Sequence, residues 1–237
     1  MPPARPYRGV LFDKDGTLID FEATWRGFVD EVLDALAPGD PALRRRLAEV
    51  AGLDAEGRFR PGSPIVAGST AEVATLWAPL LPGWTVEALE READRRAREA
   101  AGRGPAPATR DMAGLLDGLR ARNLTLGVAT HDSEGAARAH LAALGVADRF
   151  GFVAGYDSGH GLKPGPGMVL AFCAAAGLDP SETVMVGDSV HDLGAGRAAG
   201  VGLVVGVLTG PAEEADLASL ADVVAPSIAA LPDLLDR

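Results

Sequence analysis

The chain has 237 residues, 47% hydrophobic and 23% charged, and its 33 acidic against 22 basic side chains give a net charge of -11. That balance argues against a nucleic-acid partner, which needs a clustered basic face, and the lone Cys173 excludes an internal disulfide or a thiolate metal cluster. No apolar run approaches the roughly 20 residues of a membrane helix, and Met1 to Asp15 holds no signal-peptide core, so a cytoplasmic protein without a membrane partner is expected.

The first predicted element is a buried strand, Arg8 to Asp13, an apolar run that stops at an acid and turns at Gly16. From Ala23 to Leu36, Trp25, Phe28, Val29, Val32, Leu33 and Leu36 recur at three and four residues, which is helical spacing. Further helices are predicted at about Pro41 to Ala51, Thr70 to Leu80 and Val86 to Ala101, with a Pro/Gly-rich loop, Phe59 to Gly68, and no strand pattern between them. Gly102 to Pro107 reads as a linker.

Beyond the linker the pattern alternates. Helix Arg110 to Arg122 leads to strand Leu124 to Ala129, and helix Glu134 to Leu144 to strand Phe150 to Ala154. Helix Gly167 to Ala176 precedes strand Thr183 to Val186, helix Leu193 to Ala199 precedes strand Val201 to Val207, and a helix at Ile228 to Leu235 ends the series. Such alternation means a parallel sheet covered on both faces. The predicted fold is α/β: a Rossmann-like parallel-sheet core over residues 1–19 and 106–237, with an inserted all-helical domain over 20–105.

In an open parallel sheet, ligands bind beyond the carboxyl ends of the strands. Four predicted ends carry polar residues there: Asp13 with Asp15, Thr130, Lys163, and Asp188 with Asp192. Singly, each has an ordinary reading as a helix cap or an exposed loop residue. Together on one rim they point to a site. Only two of the 22 basic residues are lysines, Lys14 and Lys163, and both fall in these segments.

Asp-Lys-Asp-Gly-Thr-Leu at 13 to 18, Thr130, Lys163-Pro164 and Gly-Asp-Ser-Val-His-Asp at 187 to 192 resemble, in order, the four motifs of the haloacid dehalogenase-like superfamily. Leu193 to Gly200 resembles its phosphoglycolate phosphatase-like branch, and the helical insert is similar in place and type to that family's cap. The resemblance implies a magnesium-dependent phosphatase acting on a small phosphorylated, phosphoglycolate-like metabolite. Asp13 would be the nucleophile and Asp15 the general acid and base, which fits i and i+2 pointing the same way on an extended segment. Asp13, the Asp15 backbone carbonyl and Asp188 would hold Mg2+. Asp192 would be a direct or water-bridged ligand, or else an acid at a helix N-terminus. Thr130 and Lys163 would bind the phosphoryl group, and His131 is the histidine best placed to touch substrate.

By the same alternation Lys14 is expected to point away from both acids, toward the surface. His131, His160 and His191 each adjoin a motif, but an oxygen-rich site suits magnesium better than zinc. An anion-binding arginine in the loop Arg58 to Ser63 and an ordinary exposed turn are both open. Asp15 argues against a dehalogenase, and the absence of lysine between Lys14 and Lys163 excludes a Schiff-base phosphonatase. A sugar phosphomutase remains compatible, as does a phosphate-binding or phospho-acceptor module without turnover. Oligomeric state is not readable.

Overall fold

The computed structural model describes residues 7–60, 63–101 and 104–236. Parts of three segments singled out above lie outside it: the N-terminal residues 1–6, residues 61 and 62 of the loop, and residues 102 and 103 of the linker. Among the described residues six strands form one parallel sheet: β1 (Gly9–Phe12), β2 (Thr125–Ala129), β3 (Phe152–Ala154), β4 (Thr183–Gly187), β5 (Leu203–Val207) and β6 (Val223–Ala225). Their order is β3-β2-β1-β4-β5-β6.

β1 is buried on both faces because it carries apolar side chains at every position after Gly9. Val10 and Phe12 pack with Leu116, Leu126 and Ile228, whereas Leu11 packs on the other face with Phe172 and Met185. From β1 the chain builds outward to β2 and β3 on one side, then crosses to β4, β5 and β6 on the other. The order reverses at β1, and such a switch point opens a crevice at the carboxyl end of the strand.

Between β1 and β2 come α1 (Phe21–Leu36), α2 (Pro41–Ala51), α3 (Pro64–Ala67), α4 (Thr70–Trp77) and α5 (Val86–Ala101). Local chemistry sets their ends. Asp20 accepts from Ala23 N at 3.0 Å to start α1, Asp40 and Pro41 start α2, and Ser69 with Glu72 makes a capping box for α4. Val29, Leu33, Leu47, Trp77 and Leu89 build a hydrophobic cluster distinct from those of the sheet; each such burial contributes about 1.5–3 kcal/mol. The chain enters and leaves this insert side by side, through Asp20 N to Ala106 O and Ala108 N to Leu18 O, both 2.9 Å.

The core helices are α6 (Met112–Ala121), α7 (Glu134–Ala143), α8 (Gly167–Ala176), α9 (Val190–Ala199), α10 (Glu214–Ala218) and α11 (Leu231–Leu235), and α5 of the insert lies along α7. Two segments differ from expectation. The Phe59 to Gly68 loop contains α3, and Leu53 bridges Phe59 as an isolated antiparallel pair. β6 and α10 fall where no element is predicted, because three and five residues are too few to show a period; pairing with β5 defines β6. Among the described residues no helix is long and apolar enough to cross a membrane.

Candidate active site

Asp13 follows β1, and its N–H still bonds Val186 O at 2.8 Å, so the sheet ladder determines where its carboxylate emerges. Lys163 Nζ donates to Asp13 Oδ1 at 2.6 Å, to Asp192 Oδ1 at 2.5 Å and to Ala129 O at 2.9 Å. Asp188, after β4, accepts from Thr17 Oγ1 at 3.0 Å. Asp192 lies in the first turn of α9, where Ser189 N and Oγ donate to its Oδ2 at 3.0 and 2.6 Å. One oxygen of Asp192 thus caps the helix and the other faces Lys163. Gly16 turns with φ +82°, and a Cβ there would collide with the Asp188 carboxylate, so glycine is required on both counts.

Oxygens of Asp13, Asp188 and Asp192 lie within 4.8 Å of one another, and all three residues are buried. Burial lifts the Asp13 carboxyl to about 7, with Lys163 opposing and Asp192 and Asp15 adding to the rise. Burial, then the charges of Asp13 and Asp192, holds Asp188 well above the usual carboxylate range. Burial alone would lower Lys163, but Asp13 and Asp192 outweigh it and raise its pKa. Three buried carboxylates against one ammonium leave negative charge that a cation would neutralise. An all-oxygen donor set fits a hard divalent ion such as magnesium. The histidines do not join this cluster: His131 and His191 have ring centroids 5.9 Å apart, and His160 packs on Phe152 at 6.2 Å.

Asp15 lines the same cavity as Asp13 but bonds other partners. Asp15 Oδ1 accepts from Trp25 Nε1 of α1 at 2.5 Å, and Oδ2 pairs with Lys14 Nζ at 2.5 Å. Its side chain is therefore outside the triad formed by Asp13, Asp188 and Asp192. Burial would raise this carboxyl, yet Lys14, then His140 and the hydrogen bonds from Lys14 and Trp25, bring it below the ordinary value.

Lys14 is a correction: it is fully buried, not near the surface. Its Nζ lies 3.4 Å from Asp132 Oδ2, 3.4 Å from His140 Nδ1 and 5.1 Å from the Trp25 ring centroid. Burial disfavours this ammonium, but Asp15 and Asp132 more than offset it and raise its pKa. Asp132 is pushed up to about 6 by burial, against the pull of Lys14. The sequence reading missed Asp132, His140, Thr17 and Ser189. Asp132 and Ser189 had a signal as polar residues in the loops after strand ends, and Thr17 stands within the quoted segment 13 to 18; His140 had none.

A cavity of about 400 Å³ lies between the carboxyl edge of the sheet and α1, α4 and α5. All seven residues singled out above line it: Asp13, Asp15, Thr130, His131, Lys163, Asp188 and Asp192. Thr130 Oγ1 accepts from Asp132 N at 3.1 Å. His131 Nε2 accepts from Lys163 N at 3.0 Å, so this histidine also positions the lysine loop. Arg58 does not line the cavity; exposed, it pairs with Asp54 at 2.8 Å, which favours the ordinary turn.

The model of the haloacid dehalogenase-like hydrolase family matches residues 7–200. A phosphoglycolate phosphatase of Rhodospirillum rubrum is 35% identical over 204 residues, covering 84% of this chain and 78% of its own length. An N-acetylmuramic acid 6-phosphate phosphatase of Pseudomonas putida is 32% identical, covering 81% and 79%. Among solved structures, CbbY of Rhodobacter sphaeroides, in complex with phosphate, superposes with a TM-score of 0.74 at 22% identity, covering 98% of this chain and 100% of its own. At that identity the likeness speaks for the fold.

Proposed function

The chain belongs to the haloacid dehalogenase-like hydrolase family, and on that premise we propose that it is a divalent-metal-dependent phosphatase that cleaves a small phosphomonoester through an aspartyl-phosphate on Asp13. The observation that carries this reading is Asp13 itself: a buried carboxylate at the end of the central strand, held by Lys163 within an all-oxygen acid cluster. Asp13, Asp188, Asp192 and the Asp15 carbonyl would hold a magnesium ion, which when bound supplies the positive charge that offsets carboxylate and phosphoryl oxygens.

The Asp13 oxygen bonds to phosphorus as the bond from phosphorus to the ester oxygen breaks, and the departing alkoxide takes a proton from Asp15. Water then attacks the phosphorus and gives its proton to Asp15, the Asp13–phosphorus bond breaks, and phosphate leaves. Lys163 neutralises the phosphoryl oxygens and keeps Asp13 aligned, and Thr130 donates its hydroxyl to them. Asp15 has to be freed from Lys14 and Trp25 to carry its proton. Trp25 belongs to α1 of the insert, so displacement of α1 relative to the sheet would make that exchange.

The named relatives are a phosphoglycolate phosphatase and an N-acetylmuramic acid 6-phosphate phosphatase, named for acids of very different size, so the shared core does not by itself select the leaving group. 2-Phosphoglycolate is the first compound to test. Phosphate release is to be measured over a panel of phosphomonoesters, with magnesium and with EDTA; release that persists in the chelator rejects the mechanism.

A further inference from the structure

We propose that this site prefers phosphomonoesters of uncharged apolar alcohols to those of small carboxylic acids, an inference that rests on the phosphatase reading above. Above the carboxylates the cavity wall is built by Trp25 and Phe28 of α1, Ile65 of α3, Val73 and Trp77 of α4, and Leu89 of α5. Val73, Trp77 and Leu89 are buried members of the insert's own hydrophobic cluster, so the cavity runs from the acid triad up among those helices. Trp77 has spent its polar atom elsewhere: its Nε1 donates to Leu47 O at 2.9 Å, which leaves only its ring to face a ligand, while Trp25 Nε1 is held by Asp15 until that acid is released.

Charge points the same way. Among the described residues no arginine lines the cavity, and its one lysine, Lys163, is already paired with Asp13 and Asp192. Asp94, Asp132 and Asp216 stand in the wall as well. A leaving group with its own carboxylate would meet these acids and no unengaged ammonium or guanidinium. An apolar alcohol would instead remove aromatic and aliphatic wall from water. The volume of about 400 Å³ falls within the roughly 300–1,000 Å³ of sites that enclose drug-sized ligands, and a two-carbon acid leaves most of that wall uncovered.

The test compares kcat/KM for ethyl, n-butyl and n-hexyl phosphate, whose alkoxides are alike in basicity, with that for 2-phosphoglycolate, using the full chain and magnesium. Each methylene is expected to raise kcat/KM about fourfold until the cavity fills, so that n-hexyl phosphate exceeds both ethyl phosphate and 2-phosphoglycolate by at least about tenfold. Ala93→Phe, which places a ring on the α5 wall, is expected to bring the hexyl-to-ethyl ratio down to about threefold or less. If that variant does not fold, the wild-type series decides alone. A flat series, a hexyl-to-ethyl ratio that a folded Ala93→Phe leaves unchanged, or 2-phosphoglycolate as the best ester overturns the inference and leaves the phosphatase reading standing. No phosphate release from any ester overturns both.

Discussion

Around Lys163, a buried ammonium joins two aspartates that both belong to the sheet edge, Asp13 after β1 and Asp192 on α9, with Asp188 close by. Around Lys14, an equally buried ammonium joins Asp15 and Asp132 and touches His140 and the indole of Trp25, so this second cluster spans from the sheet edge to the inserted helices. The first has more negative charge than its one cation offsets, which is a costly arrangement for stability and a useful one for holding a metal and a phosphoryl group. In the second, a neutral histidine and two acids surround the cation, and nothing in it has to react except Asp15. Under the proposed mechanism the first cluster would carry the chemistry, and the second would set where the acid Asp15 sits.

Substitutions separate the two. Asp13→Asn is expected to lower phosphatase turnover by at least about 10⁴-fold, because an amide cannot attack phosphorus. The same change removes one of three crowded buried acids, so the melting temperature should hold or rise; a large loss of stability with activity retained would reverse the assignment of the two clusters. Lys14→Met should behave oppositely, leaving Asp15 and Asp132 buried without their cation and costing about 3–5 kcal/mol in chemical denaturation. Denaturation curves that match wild type would show that Lys14 is not the element joining sheet and insert.

Lys163→Arg keeps the charge but replaces a compact ammonium with a planar fork. A rate loss of about 10²-fold is expected, with stability changed much less. Wild-type steady-state kinetics for this variant would remove Lys163 from the site. The smallest effect concerns pH. His140 is held down at about 4, by burial first and then by Lys14, against Asp15. The unfolded chain protonates this histidine near its ordinary value of about 6.5, so between that pH and about 4 the unfolded state binds more protons and stability falls as the solution is acidified. At pH 5 the loss attributable to His140 is about 2 kcal/mol. Asp132, raised to about 6, works in the opposite direction. The comparison is therefore between wild type and His140→Gln at pH 7 and pH 5, and equal acid losses in both would show that His140 is not held neutral by the fold.

Much of the first cluster is legible from residue order. Asp13, Thr130, Lys163 and Asp188 each follow an apolar strand, and a parallel sheet places every such end on one rim, so their convergence needs no knowledge of contacts. The second cluster is not legible, for a specific reason. The two-residue alternation that would send Lys14 outward holds only within a strand, and β1 ends at Phe12. From Asp13 onward the backbone turns through Gly16, where Gly16 N bonds Ile19 O at 2.7 Å and Ile19 N bonds Lys14 O at 2.9 Å. This turn buries Lys14 and carries Asp15 to Trp25.

The sequence by itself determined the longer strands and helices, that a helical block interrupts an α/β chain, and which polar residues stand at the strand ends, because these follow from hydrophobic period, caps and chain order. Only the tertiary structure decided the strand order and the existence of β6, the burial of Lys14 between Asp15 and Asp132, and the apolar wall that α1, α4 and α5 raise over the carboxylates. Those depend on contacts between residues far apart in the chain: Lys14 meets His140 across 126 positions and Lys163 meets Asp13 across 150. No local period encodes such a pairing; it arises when helices and strands pack and each buried charge must find a partner.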